Sequence, residues 1–92
     1  MNNSILKLFD LKNQNIIITG SAGRLGSQFA TILSEVGANV ILVDIDKKKN
    51  IQLEKKLQRK YKTKAKSYTV DLSQPVEIIK FKEEFLKKFG NI

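Results

Sequence analysis

The run from Asn15 to Gly26, Asn-Ile-Ile-Ile-Thr-Gly-Ser-Ala-Gly-Arg-Leu-Gly, constrains this chain more than any other stretch. Ile16-Ile17-Ile18 is unbroken and apolar, the pattern of a strand buried on both faces, as in a parallel sheet. Gly20, Gly23 and Gly26 follow, spaced by three. Leu25, Phe29, Ile32, Leu33 and Val36 then recur at helical spacing. That spacing predicts one apolar helix face from about Arg24 to Val36, with Gly37 able to take the left-handed position past its end. A strand, a turn and a helix in this order lead to a second strand parallel to the first, through a right-handed crossover.

The rest of the chain repeats the unit. Asn39 to Asp44 holds a second continuous apolar run, Val40-Ile41-Leu42-Val43. Asp46 is placed to cap a second helix carrying Leu53, Leu57 and Tyr61 at four-residue spacing. A third strand is expected at about Ala65 to Val70. Ser73 is placed to cap a third helix, with Pro75 in its first turn, Ile78, Phe81, Phe85 and Phe89 as its apolar face, and Gly90 as its end. The order β-α-β-α-β-α, with short connections, predicts an α/β fold built on a parallel sheet. At 92 residues the chain is at most one domain, 1–92, of which residues 1–14 are a polar lead-in.

The glycine turn also has a chemical reading. Gly20 lets the chain leave the strand in a tight turn, small residues from Ser21 to Gly23 let backbone N–H groups approach phosphate, and Gly26 lets the helix pack close to the sheet. The helix N-terminus adds about half a positive charge at that point. Such a turn also occurs in ordinary strand-to-helix connections, but here it sits in the context of a Rossmann-type dinucleotide site. Gly20, Ser21, Gly23, Arg24, Leu25 and Gly26 are therefore candidate cofactor contacts. Asp44 ends the second strand, 18 residues past Gly26. A carboxylate there accepts from the adenosine ribose hydroxyls and repels a 2′-phosphate, so NAD is expected over NADP. The competing role, capping the second helix, suits Asp46 better. Arg24 and Lys47 are the cations able to approach a 2′-phosphate. Ile45 joins Asp44 as a candidate contact. Asp71 and Leu72 close the third strand on the same edge, as an acceptor for the adenine amino group with an apolar neighbour.

Composition removes several alternatives. With no cysteine and no histidine, a disulfide framework, a thiolate metal site, a cysteine nucleophile and an imidazole base are all excluded. The start lacks the long apolar core of a secretory signal, and no apolar run approaches the roughly 20 residues that span a bilayer. A cytoplasmic protein with no membrane partner is the expectation. Net charge is +8, and ten of 17 basic residues lie between Lys47 and Lys66, against the single acid Glu54. Few aromatic side chains interleave with them, so a solvated helix face is favoured over a nucleic-acid surface.

In combination these residues resemble a family. From about residue 9 to residue 92 the chain is similar to the N-terminal part of a short-chain dehydrogenase/reductase. Phe9-Asp10-Leu11-Lys12, Thr19-Gly20 with the turn to Gly26, Asp44, Val70-Asp71-Leu72 and Lys88-Phe89-Gly90-Asn91-Ile92 all fall in family order. One departure stands out. The common branch has Thr-Gly-x3-Gly-x-Gly, which would place glycine at position 24, where this chain has Arg24. The spacing as it stands, Thr-Gly-x2-Gly-x2-Gly, is similar to the extended branch that works on nucleotide sugars.

The resemblance implies a homo-oligomeric parent enzyme that moves a hydride between NAD and a small-molecule hydroxyl or carbonyl. It also implies that the family's serine and Tyr-x3-Lys pair follow Ile92, so this chain would hold no catalytic residue and no metal and be inactive alone. Tyr61-Lys62-Thr63-Lys64-Ala65 does not supply the pair, because lysine is absent from the fourth following position. In the strand order 3-2-1-4-5-6 the first strand would be left as an open apolar edge, so the 92-residue chain is expected to be marginally folded or aggregation-prone. Two other readings stay open. One is a fragment of an extended-branch nucleotide-sugar epimerase or dehydratase. The other is a non-catalytic module that binds nucleic acid or anionic lipid through the Lys47–Lys66 cluster.

Overall fold

The structure, a computed structural model, describes residues 14–89. The Phe9–Lys12 lead-in, the side chain of Phe89 and the expected helix stop at Gly90 lie outside the described residues. Strand β1 (Asn15–Thr19), helix α1 (Arg24–Glu35), strand β2 (Asn39–Asp44), helix α2 (Lys47–Lys60), strand β3 (Ala65–Thr69) and helix α3 (Pro75–Phe89) alternate along the chain. The strands form one parallel sheet in the order β1-β2-β3, with Ile17 opposite Ile41 and Leu42 opposite Ser67. This is the α/β arrangement expected from the alternation, and it matches the N-terminal half of a Rossmann-type sheet.

The apolar run of β2 has its cause in this layering. Side chains alternate across a strand, so a strand covered on both faces needs apolar residues at successive positions. Val40 and Leu42 meet Ile18 of β1, Ala30 of α1 and Leu53 and Leu57 of α2 on one face. Ile41 and Val43 meet Val70 and Phe85 on the other, under α3. Leu42 is fully buried, which contributes about 2 kcal/mol for a side chain of that size.

Helix ends follow the local chemistry. Past α1, Gly37 adopts φ +97°. Its N–H donates to the Ser34 carbonyl (3.1 Å), and the Ala38 N–H donates to the Leu33 carbonyl (3.0 Å). That pair of bonds is a Schellman motif, which needs a residue free to go left-handed. Asp46 caps α2 by accepting from the Lys49 N–H. The expected cap of α3 does not form. Ser73 Oγ instead donates to Asp71 Oδ1, and α3 begins two residues later at Pro75.

Two expected apolar faces are only partly used. On α1, Ala30 and Ser34 are buried, as is Val36 just past its end, and Leu33 packs against the core, whereas Leu25, Phe29 and Ile32 stand 64, 53 and 44% exposed. The small residues Ala30 and Ser34 let the helix lie close to the sheet. The larger side chains fall on a flank that the sheet does not reach, because β1 is its edge. On α3, Phe81 and Phe85 reach the core, while Val76, Ile78, Ile79 and Leu86 are exposed.

The opposite edge of the sheet is managed differently. Val40 N–H donates to the Lys64 carbonyl and Val70 N–H to the Asp44 carbonyl, so even-numbered residues of β3 turn their backbone groups to β2. Odd-numbered residues therefore aim theirs outward. Two of those outward groups are taken by α2. Gln58 Nε2 donates to the Ala65 carbonyl (2.8 Å), and Glu54 Oε1 accepts from the Ser67 N–H (3.0 Å) while Oε2 accepts from Ser67 Oγ. A carbonyl and an N–H two residues apart are what one residue of an added parallel strand would engage, so Glu54 and Gln58 close that point of the edge. Replacing both (Glu54→Ala with Gln58→Ala) is expected to cost about 3 kcal/mol, roughly 1 kcal/mol for each of the three lost bonds. It is also expected to shift the full-length protein to larger species in sedimentation velocity. An unchanged sedimentation profile would show that the edge is protected by other means. Among the described residues no helix is long and apolar enough to cross a membrane.

Candidate cofactor site

The carboxyl ends of β1, β2 and β3 lie side by side, and the turns that leave them build one site. Gly20 makes the first turn at φ +68°, a left-handed conformation that favours glycine. Its carbonyl accepts from the Gly23 N–H (3.1 Å), which closes the turn. At Gly26 an added Cβ would collide with the Gly20 carbonyl oxygen and come within 2.9 Å of its carbon. Gly26 thus lets the first turn of α1 rest directly on the chain leaving β1. Arg24 is the first residue of α1 and is exposed, so the helix accepts a side chain at the position where the common branch has glycine.

The next residues of the turn point inward. Ser21 is fully buried. Its N–H donates to the Val43 carbonyl (3.2 Å), and its Oγ donates to Asn50 Oδ1 (2.6 Å). The Ala22 N–H donates to Asp44 Oδ2 (2.9 Å). With the N–H groups of Ser21, Ala22 and Gly23 committed inside, those of Arg24, Leu25 and Gly26 remain as helix-end donors without an intrahelical acceptor. No side chain caps them and no acid occupies the first turn, so no residue of α1 itself neutralises its positive end.

Asp44 couples this turn to the second strand. One carboxylate oxygen takes the Ala22 N–H, and the other accepts from the Asp46 N–H (2.8 Å). A carboxylate has about four acceptor positions, so capacity remains for a further donor. Asp71 is held by its own loop. The Ser73 hydroxyl and N–H both donate to its Oδ1, and they hold the carboxyl below its ordinary value. The Asp71 N–H donates to Glu77 Oε1 of α3. Gly20, Asp44, Ile45, Asp71 and Leu72 line one cleft of about 280 Å³, together with Val43, Val70 and Ser73. Gly23, Arg24, Leu25 and Gly26 continue from Gly20 along the turn. Ser21 is the one candidate residue turned away, inside the protein.

Asn50 was not expected as part of the site. It is fully buried on α2, and besides accepting from Ser21 it donates to the Leu42 carbonyl (2.9 Å) and the Tyr68 carbonyl (3.3 Å). The signal for it was the spacing: Asn50 falls three residues before Leu53 and seven before Leu57, a polar residue on the apolar face.

The family model described as short chain dehydrogenase matches residues 14–92. The chain is 34% identical, over 97% of its length, to a sorbose reductase of Candida albicans, of which it covers 31%. It is 31% identical, over 92% of its length, to an NADP(+) L-rhamnose 1-dehydrogenase of Thermoplasma acidophilum, of which it covers 34%. It thus spans about a third of the length of the curated relatives it matches. Among solved structures, 95% of the chain superposes with TM-score 0.85 and 29% identity on 31% of a putative D-mannonate oxidoreductase from Haemophilus influenza with bound NAD. A metagenomic short-chain oxidoreductase in complex with NADP gives TM-score 0.83 and 28% identity, over 89% of this chain and 37% of that one. With its turn, its sheet and its sequence in agreement over residues 14–89, the chain belongs to the short chain dehydrogenase family.

Proposed function

We propose that residues 14–92 form the adenosine-binding part of an NAD-dependent oxidoreductase, the first part of a longer single-domain sheet. The observation that carries this reading is the shared cleft. Gly20, Asp44, Ile45, Asp71 and Leu72 come together from three strand ends beside the uncapped N-terminus of α1. Residues 24–26 offer backbone N–H groups and a positive helix end to a pyrophosphate. Asp44 offers its remaining acceptor capacity to a ribose hydroxyl, Asp71 faces the same cleft as a second acceptor, and Ile45 and Leu72 supply apolar walls. These residues bind and orient, and the nicotinamide supplies the hydride chemistry when the cofactor is bound. The exposed Leu25, Phe29 and Ile32 and the outer edge of β1, unpaired among the described residues, support a sheet that continues past β1.

Solved relatives hold either cofactor, NAD in one and NADP in another. The choice of NAD here rests on charge. A 2′-phosphate beside Asp44 would meet a carboxylate in a partly buried cleft, where like-charge repulsion is screened less than in open water. Calorimetric titration of the full-length protein is expected to give NAD binding at least about tenfold tighter than NADP, a difference of roughly 1.4 kcal/mol. Tighter NADP binding would overturn the choice, and no binding of either would overturn the reading.

A further inference from the structure

We infer that Asn50 and Ser21 form a buried clasp that sets the conformation of the glycine turn, so that Asn50 is a positioning residue for pyrophosphate binding. The inference rests on the cofactor reading above and adds residues that no direct contact would identify. Asn50 uses its oxygen on Ser21 Oγ and both amide hydrogens on the Leu42 and Tyr68 carbonyls. One side chain thereby joins the turn after β1 to β2, β3 and α2. At Leu42 and Tyr68 it is wedged against the carboxyl-terminal parts of two neighbouring strands. The cost of leaving any of these buried groups unpaired makes the arrangement a defined one, because a shifted turn would orphan the Ser21 hydroxyl and the Asn50 oxygen together.

What the clasp controls follows from the chain order. Ser21 is followed by Ala22, locked to Asp44, and Gly23, locked to Gly20. Arg24, Leu25 and Gly26 come next and carry the outward N–H groups. Fixing Ser21 by its N–H on Val43 and its hydroxyl on Asn50 sets the direction from which the chain enters α1. It therefore sets where the helix-end donors point. The clasp never touches a ligand, because both residues have no exposed surface.

The test uses the full-length protein, with ADP and adenosine as calorimetric probes. Ser21→Ala removes the hydroxyl, keeps the N–H bond to Val43 and adds no bulk. It is expected to weaken ADP binding about tenfold while leaving adenosine binding within about twofold, because only ADP uses the donors the clasp aims. A general loss of structure would weaken both probes alike and lower the melting temperature in step, and that outcome overturns a positioning role. Unchanged ADP affinity in Ser21→Ala also overturns it, while wild-type ADP and NAD binding would leave the cofactor reading standing. Absence of ADP and NAD binding by the wild type would instead sink the cofactor reading itself. Asn50→Ala, and Ser21→Ala combined with it, complete a double-mutant cycle. If the residues act through their mutual bond, the double variant binds ADP no more weakly than Asn50→Ala alone. Additive losses would show that they act separately, and the clasp would fail. Should Asn50→Ala not fold, the comparison of probes in Ser21→Ala decides alone.

Discussion

Gly26→Ala is expected to lower the unfolding free energy of the full-length protein by about 3 kcal/mol and to remove measurable ADP binding. The cause is local and rigid. The new Cβ would meet the Gly20 carbonyl oxygen and carbon and the Ser21 Cα, all of them backbone atoms that no rotamer change moves aside. Alanine is the better helix former by about 1 kcal/mol, which offsets part of the clash. To relieve the rest, α1 must lift off the turn, and lifting it withdraws the Arg24, Leu25 and Gly26 donors from the cleft. The other two glycines set a scale for the result. Gly20→Ala places a side chain at φ +68° in open space and should cost about 1–2 kcal/mol, the strain of a left-handed conformation. Gly23→Ala meets only the Gly20 carbonyl oxygen at 3.2 Å with an ordinary backbone, and should cost less than about 1 kcal/mol. Urea denaturation of the three variants checks the order. A Gly26→Ala variant as stable as Gly23→Ala would show that the helix does not rest on the turn as described.

That ranking marks the boundary of what the sequence could tell. Three glycines spaced by three read as one motif, yet each stands for a different physical demand, and only the backbone path separates them. β1 and β2 were legible because cover on two faces favours unbroken apolar runs, complete for Val40–Val43 and partial for Ile16–Ile18, of which only Ile18 is buried. Asp44, Ile45, Asp71 and Leu72 were legible because strand ends in a parallel sheet converge on one edge, so their positions along the chain already place them together. Leu25, Phe29 and Ile32 misled for a related reason. Helical periodicity identifies a side chain that wants cover, and a three-stranded sheet ending at β1 does not extend far enough to cover it. Ser73 misled because its hydroxyl, placed to accept from the N–H groups of the helix end, is instead held within a short loop by donating to Asp71. Asn50 left a trace, a polar residue on an apolar helix face, but that trace does not name its partners, and Glu54 was overlooked because its partner is a residue of the next strand. A pairing such as that of Glu54 with Ser67 leaves no periodic trace.

The second large effect is expected at Asp44, where cofactor choice and turn geometry meet in one carboxylate. Asp44→Asn is nearly isosteric, yet it is not a mild change. The carboxylate accepts the Ala22 N–H on one oxygen and the Asp46 N–H on the other. An amide has only one oxygen, so either Ala22 or Asp46 must then face an NH2 group, donor against donor. Losing one such charge-assisted bond in a partly buried site costs about 1.5–3 kcal/mol. If the amide turns its nitrogen to Asp46, the glycine turn keeps its anchor and α2 loses its entry bond. If it turns to Ala22, the turn itself loosens. Asp44→Ala removes both bonds without forcing a clash, and it also removes the charge that opposes a 2′-phosphate. For Asp44→Ala the expectation is NAD affinity reduced about thirtyfold and NADP affinity reduced by less, so that the preference for NAD narrows or reverses. For Asp44→Asn both cofactors should weaken, because the turn that holds the shared pyrophosphate is disturbed whichever way the amide faces. Titration of both variants with NAD and NADP, alongside thermal melts, separates the two contributions. If Asp44→Asn bound NAD as well as the wild type, Asp44 would be a spectator of the turn. If Asp44→Ala left the ratio of the two affinities unchanged, its charge would play no part in choosing between them.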